Sequence, residues 1–143
     1  MAEEIILNNS QFGPVSVEDD KVIKFPQGII GFEDLKEYAL LVFDEYQPFQ
    51  FLISIEDPEV TFPVMSPVLV KDTYSPDITK DDVALLGDFE DKDLIMYVII
   101  SIKGEAEGVS ANMKGPIIIN QVRKLGQQII LDSEEYSLEE NLF

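Results

Sequence analysis

Carboxylates are the side chains whose number and spacing could carry out chemistry in this sequence. The 143 residues include 28 Asp and Glu, but no His and no Cys. The most common general base, the thiolate nucleophile and thiolate metal sites are therefore excluded. An enzyme of this composition would depend on carboxylates, lysines or hydroxyls. Two acidic segments are dense enough to consider, residues 56–59 (EDPE) and residues 88–93 (DFEDKD).

Each acidic segment permits a chemical interpretation and a structural one. A glycosidase needs two carboxyl groups ~5 to 10 Å apart across a sugar cleft, whereas Asp57-Pro58 is an ordinary start of a turn. Residues 88–93 begin like a calcium loop, but Asp93 stands where that loop needs glycine, and Ile99 stands where it needs a bidentate acid. Turns are favoured for both segments. A carboxylate-based hydrolase or a calcium-binding β-domain, using Glu56, Asp57 and residues 88–93, stays as the alternative.

Charge restricts the partners. Ten Lys and Arg against 28 Asp and Glu give a net charge of −18, and the only adjacent basic pair is Arg123-Lys124. Neutralisation of phosphates dominates nucleic-acid affinity, so direct binding of nucleic acid is not expected. An acidic surface attracts basic proteins and speeds their encounter, although the same charge also keeps a protein soluble. Charge alone does not separate these two roles.

Length and hydropathy predict one domain over residues 1–143. Hydrophobic residues make up 45% of the chain, enough for a packed core despite the charge. The start, MAEEI, lacks the basic region of a secretory signal, and the apolar run at residues 94–100 is far below the ~20 residues that span a bilayer. A cytoplasmic protein without membrane contact is expected.

Strand patterns dominate the chain. In PFQFLISI, Phe49 and Phe51 alternate with Gln50 and Leu52, which predicts a strand with one face in the core. Residues 93–102 (DLIMYVIISI) are apolar on both faces, which predicts a central strand. Residues 61–70 contain two prolines, which favours an edge or a bulge.

Turn signals connect these strands. Residues 13–25 (GPVSVEDDKVIKF) predict a hairpin that reverses at Glu18-Asp19-Asp20. Residues 108–131 predict an alternating segment and then two apolar strands separated by RKLG, a turn closed by Gly126.

Helix is scarce. Residues 75–88 predict roughly two turns, with Thr79 capping the first amides, Asp81 and Asp82 in the first turn, and Gly87 at the end. The fold class is therefore predicted to be mainly β: a single-domain antiparallel, barrel-like or strongly curved sheet with one or two very short helices.

A flexible joint interrupts the apolar stretch FPQGIIGFEDLKEYALL, residues 25–41. Gly28 and Gly31 allow a sharp reversal after a strand, Ile29 and Ile30 are expected to anchor the loop in the core, and residues 32–34 are expected to face outward. A stabilising corner of the sheet without any binding role explains the glycines equally well.

Three segments together resemble a known family. FPQGIIGFEDLKEYALL, FLISIEDPEVTFPVMSPVLV and GPIIINQVRKLGQQIIL closely resemble the flagellar assembly factor FliW family, in order, from about residue 12 to residue 136. The chain departs from the family in its last residues, because YSLEENLF stands where the family often has a basic, proline-containing tail. Any family function assigned to the extreme C-terminus is not carried over.

The resemblance implies a small β-barrel-like protein that is not an enzyme and needs no cofactor. FliW-like proteins bind the translational repressor CsrA and relieve its block on flagellin messenger RNA, and they also bind flagellin, which competes for them. Aromatic side chains among acids are typical of an interface anchor with a charged rim. The expected partner-binding residues are Phe32, Glu33 and Asp34 in the first loop, Glu56 and Asp57 in the second, and Asp72, Tyr74, Asp77, Asp81 and Asp82 around the predicted helix.

Overall fold

The computed structural model describes residues 2–102 and 108–142. The strands are β1 (Glu4–Asn9), β2 (Gly13–Glu18), β3 (Ile23–Lys24), β4 (Glu37–Leu41), β5 (Gln50–Ser54), β6 (Thr61–Met65), β7 (Leu94–Ile102), β8 (Val109–Ala111), β9 (Ile117–Asn120), β10 (Leu125–Gln128) and β11 (Glu140–Asn141). The helical segments are α1 (Pro67–Val70) and the 3-10 helices Asp19–Lys21, Asp44–Tyr46, Asp81–Leu86 and Asp91–Asp93. No helix in the described part of the chain is long and apolar enough to cross a membrane.

Seven strands close into a ring. Their order is β7-β6-β5-β4-β3-β10-β9, and β9 pairs back onto β7. Most neighbours are antiparallel, but β3 and β10 pair in parallel through Lys24 and Leu125. The predicted mainly β, strongly curved fold is confirmed, and closure of the ring removes the unpaired edges that an open sheet would have.

The ring is filled by side chains from alternate positions of its strands. On β4, Tyr38 and Leu40 belong to the interior cluster, whereas Ala39 and Leu41 pack on the outside. This alternation is what a pleated strand requires. The fully or nearly buried interior side chains are Ile23, Phe25, Ile29, Tyr38, Leu52, Val64, Tyr97, Ile117 and Ile119.

Two further clusters cover the outside of the ring. The hairpin of β1 and β2 packs Leu7 and Val17 against β4 and β5. On another side, α1, the 3-10 helix Asp81–Leu86 and the C-terminal segment pack against β7 to β10. Strand β5 is therefore buried on both faces, and the prediction that only one face lies in the core was wrong. The hairpin that covers the second face was not recognised in the sequence.

The predicted hairpin over residues 13–25 is also wrong. Strand β2 pairs with β1, opposing Val15 to Leu7, whereas β3 pairs with β4 and β10. The 3-10 helix Asp19–Lys21 carries the chain from the hairpin into the ring instead of reversing it. The reversal occurs earlier, before Gly13, whose φ of 73° suits glycine.

Strand β7 occupies the central position expected of it. It pairs with β6, β8 and β9. Strand β6 pairs with both β5 and β7, so of the two predicted alternatives, an edge or a bulge, the edge was wrong. Pro63 opposes Phe51 of β5 but lies outside the pairing with β7, which involves Val64 and Met65. The amide donor that proline lacks is therefore not needed for the pairing with β7.

The turn between β9 and β10 lies two residues earlier than predicted. It spans residues 121–124, and Gly126 is part of β10, opposite Ile119. A Cβ atom on Gly126 would lie 2.4 Å from Cζ of Phe25. The glycine is therefore required by the ring interior, where the Phe25 side chain fills the space beside β10.

The predicted helix of residues 75–88 is short and irregular. Its core is the 3-10 helix Asp81–Leu86, with non-helical backbone angles at Val83. The Thr79 hydroxyl accepts a hydrogen bond from the Asp82 amide (3.2 Å), and the Asp82 carboxylate accepts one from the Thr79 amide (2.9 Å). The helix ends at Gly87, as predicted, with a φ of 71°.

A capping loop and an acidic groove as candidate partner interface

One end of the ring is covered by residues 25–36, the capping loop. The Phe25 amide donates to the Lys36 carbonyl (2.8 Å) and closes the base of the loop, while the Phe32 amide donates to the Ile29 carbonyl (2.7 Å). Gly28 and Gly31 have φ of 68° and 90°, values that residues other than glycine rarely adopt. A Cβ atom on Gly28 would also lie 2.7 Å from Cα of Glu33. The two glycines therefore allow this compact cover.

The capping loop has an inner and an outer apolar side. Ile29 is 1% exposed inside the ring, as predicted, but Ile30 is 58% exposed and does not anchor the loop in the core. The reversal between the two glycines places consecutive side chains on opposite sides. Phe32 is 40% exposed and its ring packs edge-on against Phe62, with centroids 5.1 Å apart. Ile30 and Phe32 thus present apolar surface to solvent at this end of the ring.

Two side chains fasten the loop to the ring. The Glu56 carboxylate accepts hydrogen bonds from the amides of Lys36 (2.8 Å) and Glu37 (3.1 Å). The Gln128 side-chain oxygen accepts one from the Ile30 amide (2.9 Å). Glu56 therefore has a structural role. The favoured turn at residues 56–59 is confirmed by the Val60 amide, which donates to the Asp57 carbonyl (2.8 Å).

Acids surround the exposed apolar residues. Glu33 and Asp34 are exposed beside Phe32, and the Glu33 carboxylate accepts a hydrogen bond from the Gly31 amide (3.2 Å). The backbone amides of Glu33 itself and then of Gly31 hold the pKa of the Glu33 carboxyl below its ordinary value. Glu33 is therefore ionised at neutral pH, and the loop presents negative charge next to an aromatic ring.

A second acidic region lies beside the 3-10 helix Asp81–Leu86. A groove of about 310 Å³ has Ile129, Leu131 and Tyr136 among its lining residues. Four carboxylates also line this acidic groove: Asp77, Asp82, Asp132 and Glu135. The first two, Asp77 and Asp82, are among the predicted partner-binding residues. Ile130, which is 49% exposed, adds apolar surface to the same groove.

One extended segment connects the capping loop and the acidic groove. The antiparallel pairing of β9 and β10 continues beyond the two strands. The Ile129 amide donates to the Pro116 carbonyl (2.9 Å), and the Leu131 amide donates to the Lys114 carbonyl (2.8 Å). Gln127 donates to the Asp82 carbonyl (2.7 Å), while Gln128 reaches the capping loop. The two regions therefore flank residues 127–131. Sequence reasoning missed Ile30, Gln128 and Ile130, and the order of residues in GQQIIL, without alternation of polar and apolar types, offered no signal for the last two.

The remaining predicted site residues are spread over the surface, with one exception. Asp57, Asp72 and Asp81 are exposed. Tyr74 is 7% exposed, and its hydroxyl donates to the Met113 carbonyl (2.8 Å). Its ring packs edge-on against the Tyr136 ring, with centroids 4.6 Å apart. Burial, and secondly the electrostatic interaction with Tyr136, raises the pKa of Tyr74 to about 12. Tyr74 supports the groove from within and is not available for direct contact.

The alternative acid chemistry finds little support in the described part of the chain. No group of three or more of its carboxylates is close enough to hold a metal ion. In the former calcium candidate, Glu90 and Asp93 cap the 3-10 helix Asp91–Asp93, and the Glu90 amide donates to the Asp93 carboxylate (2.9 Å). The favoured interpretation of residues 88–93 as a turn is therefore confirmed.

These features define a small mainly β domain whose candidate site is an exposed surface of apolar and acidic side chains. A family model described as "FliW protein" matches residues 6–142. The chain belongs to the FliW family.

Individual relatives agree with this assignment. The chain is 36% identical over 131 residues to the flagellar assembly factor FliW of Thermotoga neapolitana, covering 91% of this chain and 88% of the relative. It is 33% identical over 139 residues to the protein of that name from Leptospira biflexa, covering 96% and 91%. A crystal structure of the flagellar assembly factor FliW superposes with a TM-score of 0.88 at 28% identity and 97% coverage of both chains.

Proposed function

We propose that this protein is a cytoplasmic flagellar assembly factor that binds two protein partners in turn, the RNA-binding repressor CsrA and flagellin. The family match over residues 6–142 is the observation that carries the proposal. The net charge of −18 supports it, because an acidic surface attracts basic proteins and repels RNA. No catalytic step is part of this function.

Partner exchange couples flagellin synthesis to export by mass action. When unsecreted flagellin accumulates, it occupies the protein and leaves CsrA free to repress flagellin messenger RNA. Export removes flagellin, and the released protein then binds CsrA again. Such a switch needs only that the two complexes exclude each other and that their dissociation constants suit the concentrations of the partners.

The capping loop and the acidic groove form the proposed interface. Ile30 and Phe32 offer apolar anchors with Glu33 and Asp34 beside them, and Asp77 and Asp82 offer negative charge in the acidic groove. Apolar anchors in a polar rim are the usual arrangement of a protein interface, in which a few central side chains supply most of the affinity. Binding through this end of the ring leaves the interior core undisturbed.

Truncation of the two apolar anchors tests the proposed interface. In the double variant Ile30→Ala/Phe32→Ala, at least one partner should bind more than about tenfold more weakly, since central anchors typically contribute ~1 to 2 kcal/mol each. Affinity for purified CsrA and flagellin is measured by calorimetry, together with the melting temperature. Wild-type protein that binds neither partner would refute the function itself.

The matched control is Val122→Ala, which truncates a side chain that is 70% exposed in the turn between β9 and β10. This turn lies at the opposite end of the ring, so partner affinity should stay within about twofold, as for near-neutral surface residues. Unchanged binding of both partners by the double variant would place the interface elsewhere, without affecting the proposed function.

A further inference from the structure

The end of the ring opposite the capping loop contains an open cavity. The strand register sets the two ends: β7 begins beside the end of β9, where Leu94 opposes Asn120, and the capping loop lies at the other end of these strands. A cavity of about 380 Å³ opens at the end of the ring where β7 begins and β9 ends. We call this cavity the open mouth of the ring.

The lining of the open mouth is mostly apolar, with Gln121 and two lysines as its polar residues. Five interior residues line it: Ile23, Leu40, Ile95, Tyr97 and Ile119. The Tyr97 hydroxyl does not enter the mouth as a free polar group, because it donates to the Gln50 side chain (3.1 Å). Small-molecule sites are typically concave, mostly apolar, ~300 to 1,000 Å³ in volume, and found at the mouths of closed sheets. The open mouth meets this description at the lower end of the size range.

Two lysines are among the lining residues of the same cavity. Lys21 and Lys124 both line it, in a chain with only ten Lys and Arg. Within the described residues, neither lysine has a carboxylate within 4.0 Å, whereas Arg123 next to them pairs with Asp88 at 3.8 Å. The rim therefore carries local positive charge that no acid neutralises at contact distance.

The backbone at Lys124 is unusual for a lysine. Its φ is 57°, and among the described residues it is the only one other than glycine with a positive φ. Glycine or asparagine adopts this conformation at lower cost. The Lys124 ammonium donates to the Gln121 carbonyl (2.6 Å), so the side chain folds back toward the rim. A strained residue of this kind is a reason to look for a function at its side chain.

From these observations we propose that the open mouth binds a small aliphatic carboxylate. Its hydrocarbon chain enters the ring against Ile23, Ile95 and Ile119, and its carboxylate contacts the ammonium groups of Lys21 and Lys124 at the rim. Apolar burial and a charge-assisted contact both contribute to the affinity. The net charge of −18 opposes any anion at long range, but salt screens charges beyond about 8 Å. Asp19 and Asp20 precede Lys21 in the same 3-10 helix, so the contacts of the two lysines must outweigh these nearby acids.

The test uses octanoate as the probe and the intact chain. Methyl NMR signals of Ile23, Ile95 and Ile119 should shift on titration, and the melting temperature should rise because the probe binds the folded state. Hexanoate should bind about tenfold more weakly than octanoate, because each buried methylene contributes roughly a factor of three to four. Octanol, which lacks the carboxylate, should also bind at least about tenfold more weakly.

A double variant tests the role of the rim. Lys21→Gln/Lys124→Asn removes both charges, and asparagine tolerates the positive φ at position 124. It should weaken octanoate at least about tenfold, as expected for loss of charge-assisted contacts. The matched control, Lys71→Gln, removes one lysine that pairs with Glu140 of β11, outside the lining of the mouth, and should leave binding unchanged. If the double variant does not fold, the comparison of octanoate with octanol on the wild-type chain decides the question.

Several results would overturn the proposal. These are the absence of shifts in the three isoleucine signals at saturating octanoate, equal binding of octanoate and octanol, and equal octanoate affinity in the double variant and the wild type. None of these results bears on the binding of CsrA or flagellin, which involves the other end of the ring.

Discussion

Gly126→Ala is expected to lower the free energy of unfolding by about 3 kcal/mol or more, at the upper end of the usual cost of overpacking a core. The added Cβ would lie 2.4 Å from Cζ of Phe25 and 2.7 Å from both of its Cε atoms. Backbone movement is restricted, because Gly126 is paired with Ile119 in β10. The Phe25 side chain is fully buried and packs edge-on against Tyr38 at 5.2 Å, so it cannot move aside easily.

A double-mutant cycle identifies the cause of this loss. Phe25→Leu removes the outer ring atoms that the new Cβ would meet, so Phe25→Leu/Gly126→Ala should be more stable than Gly126→Ala alone. Urea unfolding of the four proteins gives the coupling free energy, which is expected to favour the double variant by at least about 1 kcal/mol. If the two losses simply add, the contact between Phe25 and Gly126 is not what destabilises the single variant.

The second large effect concerns the mechanism of the proposed antagonism of CsrA. We expect this protein to raise the apparent dissociation constant of the CsrA–RNA complex only to a plateau, by about 5- to 150-fold, which corresponds to a coupling of ~1 to 3 kcal/mol. Competition for one site would instead raise that constant in proportion to the added protein without limit. RNA titrations of CsrA at increasing concentrations of this protein distinguish the two cases.

The distribution of charge supports a plateau. Exposed acids occur in the 3-10 helix Asp19–Lys21, at Asp77 and Asp82 in the acidic groove, and on the capping loop, so they are spread over separate regions and do not form one tract that imitates RNA. A bound acidic protein can oppose the approach of phosphate from beside the RNA site. Substitution of Asn or Gln for several acids near the RNA should lower the plateau while CsrA binding is largely kept. A strictly proportional, unbounded loss of RNA affinity contradicts this mechanism.

Local patterns predicted the strands better than their arrangement. The continuous apolar run of β7 identified it as central, because only a strand covered on both faces can bury such a run. Closure of the ring depends on a parallel contact between Lys24 and Leu125, which are far apart in sequence and form a single residue pair. No periodicity marks so short a contact. The partner of β2 was missed for a related reason, since alternation shows that a segment is a strand but does not show which strand it pairs with.

The candidate site was predictable in part. The glycines of the capping loop and the exposure of residues 32–34 followed from chemistry that any reader of the sequence can apply. The outward position of Ile30 did not follow, because it depends on where the loop reverses relative to the ring. Tyr74 was placed among exposed acids because its neighbours are acidic, but its hydroxyl finds a carbonyl partner at Met113 inside a cluster that forms only in the folded chain.

Partner exchange is the most direct test of the proposed function. Labelled CsrA is bound to the wild-type protein, unlabelled flagellin is added in steps, and the remaining complex is followed by fluorescence anisotropy. Flagellin is expected to release CsrA completely, at concentrations set by the two dissociation constants measured separately. A stable complex of all three proteins, or CsrA that remains bound at saturating flagellin, would contradict it.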